Sequence, residues 1–166
     1  YLSVGTDLKW TGSRDDAVGL QVMESIRTKQ WGIAWVALSV ALGFHVADEA
    51  TTDFLPLYNS IVGAIRESQP WVPLPTFTFS AWLTGLIVGV LILLLLSPLV
   101  FAGNRVFRPI AYFLGVLMTL NALAHLGGSI YLGELAPGAL SSPVLLVAAL
   151  VLIVTTRRAG NSAASG

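Results

Sequence analysis

Trp31-Gly32-Ile33-Ala34-Trp35-Val36-Ala37-Leu38-Ser39-Val40-Ala41-Leu42-Gly43 carries no charge and runs straight into Phe44-His45-Val46-Ala47-Asp48-Glu49. An uncharged apolar run of this kind reads as a membrane-spanning helix. Ionisable groups at membrane depth are costly and mark function. On a helix His45 and Glu49 fall one turn apart on one face, with Asp48 beside them.

Three further apolar runs follow, over residues 77–96, 109–132 and 140–156. The chain is 55% hydrophobic and 11% charged, where soluble domains carry about a quarter charged residues. Together these predict an all-α integral membrane four-helix bundle occupying residues 31–156. Residues 1–30 form a polar segment followed by an amphipathic helix, in which Val18, Val22, Met23 and Ile26 recur at helical spacing. That helix is expected to lie on the membrane surface or to pack on a partner subunit. A second interfacial helix is expected after Thr51-Thr52-Asp53, which can cap it, with Phe54, Leu57, Tyr58, Ile61, Val62 and Ile65 on its apolar face. Trp71, in the turn that follows, suits a headgroup anchor. The second run is expected to end near Ser97-Pro98, and Pro109 and Pro143 suit the first turns of the third and fourth. The fourth run stops at Arg157-Arg158, and residues 157–166 read as a disordered tail.

With both termini on the cytoplasmic side, every lysine and arginine except Arg66 falls inside, a strong positive-inside pattern. Asp48, Glu49, Asp53, Glu67 and Glu134 fall outside. The bilayer is therefore the chief partner. Gly85 and Gly89 form a Gly-xxx-Gly pair suited to close packing against a partner membrane protein or a second copy. A formal net charge of zero gives no reason to expect a nucleic-acid partner. The absence of cysteine excludes disulfides, thiolate metal sites, iron–sulfur clusters and cysteine nucleophiles. No phosphate-binding glycine loop and no Gly-x-Ser-x-Gly elbow is present.

The third run contains Asn121-Ala122-Leu123-Ala124-His125, with Asn121 and His125 on one face. His45 lies 14 residues beyond Trp31, and His125 lies 16 beyond Pro109. At about 1.5 Å per residue, both histidines climb roughly 20–25 Å from the same boundary. Matching depth predicts a shared site. His45, Glu49 and His125 are the expected metal ligands, a nitrogen and oxygen set suited to zinc, iron or manganese. Asp48 is a further ligand or a proton-transfer group, and Asn121 orients a ligand or the substrate. A second reading makes the histidines axial ligands of haem or of a chlorophyll-type pigment such as bacteriochlorophyll. The small residues before each histidine admit a macrocycle, but Asp48 and Glu49 have no role in holding one. A third reading gives the histidines only a structural part, hydrogen-bonding between helices.

The pairing of His45-Val46-Ala47-Asp48-Glu49 with Asn121-Ala122-Leu123-Ala124-His125, over residues 31–156, resembles the HXXEE-domain family of small bacterial membrane proteins. The resemblance implies a bacterial inner-membrane location and a membrane enzyme or metal-binding protein whose reaction is not defined. Asp48 stands where that family carries its first glutamate, one methylene longer. Two functions follow: a metal-dependent membrane enzyme, or an accessory subunit of a larger membrane complex that holds haem or pigment.

Overall fold

The computed structural model describes residues 14–162, and within them the chain forms five helices. They are α1 (Arg14–Thr51), α2 (Phe54–Ser68), α3 (Phe79–Phe101), α4 (Phe107–Leu132) and α5 (Ser142–Ser162). All but α2 are long and apolar enough to cross a membrane, which gives the expected all-helical bundle.

The packing order differs from the chain order. α1 is central, with α3 on one side and α5 on the other, and α4 packs on α5. Trp31, Trp35 and Leu38 of α1 form the core with Ala111 of α4 and Leu145 and Leu152 of α5. Glycines allow the closest crossings. A Cβ on Gly32 would fall 2.4–2.7 Å from the Phe101 ring, and one on Gly115 would fall 2.5 Å from Ile153. Polar ties fix the register: the Trp35 indole donates to the Leu93 carbonyl at 2.8 Å, and Arg108 donates to the Ala159 carbonyl at 2.9 Å. α3 is the least buried of the four and exposes Ile87, Leu91 and Leu95, as its apolar composition leads one to expect. Gly85 and Gly89 meet no other atom within 4 Å of a built Cβ, so that pair faces away from the rest of the chain.

Several expected boundaries move. Residues 14–29 do not form a separate helix in the membrane plane: α1 is continuous from Arg14 to Thr51. No proline interrupts it near Lys29-Gln30, and Thr28 does not cap a new helix there, so its backbone hydrogen bonding carries on. Residues 1–13 lie outside the described part. α3 passes Pro98 and ends at Phe101, because one missing N–H near a helix end is tolerated. α5 passes Arg157-Arg158 and reaches Ser162, with Ala159 buried, so the first residues of the expected tail are ordered. The rest of the tail lies outside the described residues.

α2 is the expected second amphipathic helix, with Leu55 and Val62 buried, but its predicted cap is not made. Asp53 takes a left-handed conformation (φ 57°) and makes no side-chain cap bond. The Thr51 and Thr52 hydroxyls instead donate to the last carbonyls of α1, at Ala47 and Asp48. The connection to α3 lies along α2, where Tyr58 donates to the Pro75 carbonyl, Asn59 pairs with the Phe77 backbone, and Arg66 donates to the Leu74 carbonyl. Trp71 is highly exposed at the turn, where an interfacial anchor belongs.

Leu145→Ala tests the core. Leu145 is fully buried, but lipid solvates a leucine about as well as a core does, so mainly the cavity cost remains. We expect a loss of about 2 kcal/mol, the lower end of the leucine-to-alanine range, measured by unfolding in mixed micelles.

Candidate metal centre

The last turns of α1 present His45, Asp48 and Glu49, and the second half of α4 presents Asn121 and His125. α4 stops at Gly133 (φ 70°), and the connection then folds back over the site. Two contacts hold it there: the Gly138 N–H donates to Thr52, and both the backbone N–H and the hydroxyl of Ser141 donate to Asp48 Oδ2, at 2.9 and 2.7 Å. Ser129 braces the other side, donating to the His125 carbonyl and accepting from the Ala136 N–H.

Three buried donors converge under this cover. Glu49 Oε1 lies 3.0 Å from His125 Nε2 and 3.4 Å from His45 Nε2. The two imidazoles meet edge to face, with centroids 4.9 Å apart. The Phe54 ring packs against His125 at 5.3 Å and against Trp82 at 6.0 Å.

The hydrogen bonds place a proton on Nδ1 of each ring. His125 Nδ1 bonds the Pro137 carbonyl, which can only accept. The Ser141 hydroxyl gives its proton to Asp48, so at 2.8 Å it accepts from His45 Nδ1. With these Nδ1–H tautomers, a neutral ring turns its Nε2 lone pair into the site, and a protonated one turns an Nε2–H towards Glu49. The Asn121 amide donates to His45 Nε2 at 2.9 Å. No neutral donor reaches His125 Nε2, which faces a carboxylate oxygen at 3.0 Å. Two acceptors at that distance repel unless a proton or a metal ion sits between them.

The donor set fits an ion. The ligating atoms of His45, Glu49 and His125 all lie within 4.8 Å of one another. Bonds of about 2.0–2.1 Å at tetrahedral angles separate neighbouring ligand atoms by about 3.3 Å, and the observed 3.0 and 3.4 Å bracket that value. Each histidine also donates its other ring N–H to an oxygen, as metal-bound histidines do.

Two openings reach the site. One, of about 220 Å³, lies between α1, α3 and α4 and is walled by Leu42, Val46, Trp82, Leu86, Leu117 and Met118, with His45, Glu49 and Asn121 also on its lining. The other, of about 200 Å³, lies beside the start of α2 and is bordered by Asp53, Asn59, Phe77 and Phe79. Glu49 and Phe54 line both.

The structure thus joins His45, Glu49, His125 and Asn121. It turns Asp48 towards Ser141, one step behind the convergent donors. Glu134 borders a separate surface pocket with Ser129, Ile130 and Leu135. Ser141, the Pro137 carbonyl and Phe54 were not anticipated. The one available signal was the polar pair Ser141-Ser142 at the start of a span.

Ser141→Ala breaks the chain from Asp48 to His45 and frees the His45 tautomer. We expect metal affinity to fall 10- to 100-fold, as for loss of other outer partners of metal ligands, measured by competition with a chelator. An unchanged affinity would remove Asp48 and Ser141 from the site.

No family model, curated protein or solved structure matches the chain.

Proposed function

We propose that this chain is a metal-dependent membrane enzyme acting on a lipid-soluble substrate, with the ion held by His45, Glu49 and His125. The observation that carries this reading is the convergence of one ligand atom each from buried His45, Glu49 and His125 within 4.8 Å of one another; the 3.0 Å approach of His125 Nε2 to Glu49 Oε1 is met by a metal ion or by a proton between them. Zinc, iron or manganese suits the donor set. A divalent ion held by three protein donors keeps a position open for water or substrate and makes bound water more acidic.

The remaining residues have separate tasks. Asp48 holds Ser141, and Ser141 holds His45 with its Nε2 turned inward. Asn121 exchanges its bond to His45 for one to a substrate oxygen when the imidazole takes up its ligand role. The apolar opening between α3 and α4 suits entry from the bilayer, because these two helices do not pack closely on each other. The other opening, beside Asp53 and Asn59, suits water. The edge-to-face contact of the imidazoles supports an ion over a flat macrocycle, which needs a gap between its axial ligands. The resemblance to the HXXEE-domain family accords with this reading, as does a bacterial inner-membrane placement with both termini cytoplasmic and the site in the outer half. One observation favours an accessory subunit instead: Val18, Val22, Met23 and Ile26 of α1 are exposed, as a helix that docks on a partner would leave them in a single chain.

The test is an absorption spectrum with elemental analysis of gently purified protein, beside His45→Ala/His125→Ala. A colourless protein with stoichiometric zinc, iron or manganese that the double variant lacks supports the enzyme reading. A Soret or pigment band lost in the variant moves the assignment to haem or chlorophyll-type pigment. Neither metal nor colour leaves the histidines as helix-to-helix contacts.

A further inference from the structure

The end of the bundle opposite the metal centre carries a second concave surface. It is a cleft of about 640 Å³ between the first turns of α1 and the connection from α3 to α4. Lys29, Arg105 and Arg108 line it, with the hydroxyls of Ser25 and Thr28 and the single carboxylate of Glu24. Gly103 seats the connection directly against Thr28, where a Cβ would come within 3.3 Å of its methyl group. Lys29 precedes Glu49 by 20 residues in one helix, so this cleft is roughly 30 Å from the metal centre.

Among the described residues the cleft lining carries three cations against one carboxylate, and no carboxylate forms an ion pair with Lys29, Arg105 or Arg108. Arg108 is held in place by its bond to the Ala159 carbonyl, and its Nε is buried without a hydrogen-bond partner. Arg105 and Arg108 both line the cleft, and phosphate oxygens match the arginine fork. The surroundings select among phosphates. Phe101 lines the cleft, and Val106 and Ile110, which flank Arg105 and Arg108 in the chain, are exposed apolar side chains at the edge of two candidate spans. A free ion would use the cations and leave these uncovered, whereas a phospholipid covers both. Basic pockets between spanning helices commonly take anionic headgroups.

We propose that this cleft binds the phosphate headgroup of an anionic phospholipid, with Lys29, Arg105 and Arg108 on the phosphate and the acyl chains along Phe101, Val106 and Ile110. It is independent of the metal reading and survives its failure.

Native mass spectrometry of the full chain in mild detergent tests it, with phosphatidate, phosphatidylglycerol, phosphatidylcholine and inorganic phosphate as probes. The two anionic lipids should be retained and phosphatidylcholine lost. Lys29 and Arg105 are exposed, so Lys29→Gln and Arg105→Gln should fold normally and each weaken retention about fivefold, the usual contribution of one cation at an anionic surface. Glu24→Gln removes the opposing carboxylate and should strengthen retention, a gain that a folding defect cannot mimic. Equal retention of phosphatidylcholine, or unchanged retention in the Lys29→Gln/Arg105→Gln double variant, overturns the proposal. Binding of inorganic phosphate without binding of either anionic lipid overturns it as well.

Discussion

Glu49→Gln is expected to strip the purified protein of its ion while leaving the four long helices assembled. Glu49 Oε1 is the one oxygen near both imidazoles, at 3.0 and 3.4 Å. Glutamine keeps its shape, but a neutral amide oxygen is a poor ligand for a divalent ion. The new amide N–H₂ can also donate to the His125 lone pair, which removes the repulsion that otherwise calls for a cation. Metal affinity should fall by at least about a hundredfold, the upper end of what loss of even an outer partner costs. Thermal stability should fall only by what the bound ion supplied, because the buried contact is replaced rather than lost. Glu49→Ala also loses the ion, but leaves a hole and an unpaired histidine and should unfold earlier. Elemental analysis and thermal melting of both variants check this, and stoichiometric metal in Glu49→Gln would rule out Glu49 as a ligand.

The second large effect comes from a residue with no side chain. Gly138 has φ 77°, and a Cβ there would lie 2.9 Å from His125 Cε1, 3.0 Å from its Nδ1 and 3.1 Å from Glu49 Cγ. Gly138→Ala therefore combines left-handed strain of about 1–2 kcal/mol with an overpacking cost of about 1–3 kcal/mol. Neither neighbour can yield freely, since His125 is fixed to the Pro137 carbonyl and Glu49 is buried. We expect a lower melting temperature and loss of the ion together. Gly133→Ala is the control: its φ is 70°, but nothing lies within 4 Å of its built Cβ. It should show the backbone cost alone and keep its metal. Equal metal retention in the two variants would show that the cover over the site is not in contact with it.

The sequence pattern carried the helices and the central pair of histidines, and the reasons are local. Uncharged runs of this length have few structural options in a bilayer, and a constant rise per residue turns two sequence offsets into matching depths. That is why His45, Glu49, His125 and Asn121 could be grouped without coordinates. The cover could not be read in the same way. The partner of His45 is Ser141, 96 residues away, and nothing local distinguishes that serine from others at span ends. The role of Asp48 depends on the same contact. The continuity of α1 was missed for another reason. Its first half is amphipathic and residues 31–44 are uncharged, so the two look like different helices, although no residue between them breaks the backbone hydrogen bonding. The left-handed Asp53 followed from competition, because Thr51 and Thr52 serve the end of α1 and not the start of α2.

The uninterrupted α1 also gives bilayer thickness a way to reach the candidate site. At about 1.5 Å per residue its 38 residues span roughly 57 Å, well beyond a hydrocarbon layer of about 30 Å. It is a rod whose two ends cannot tilt separately. A lean of about 5°, of the kind that hydrophobic mismatch produces, displaces one end of the roughly 30 Å from Lys29 to Glu49 by about 2.6 Å relative to the other. That is nearly the full distance between Glu49 and His125, which belongs to another rod. If α1 leans independently of α4, metal affinity measured in bilayers of different acyl length should therefore vary without any change in composition at the site.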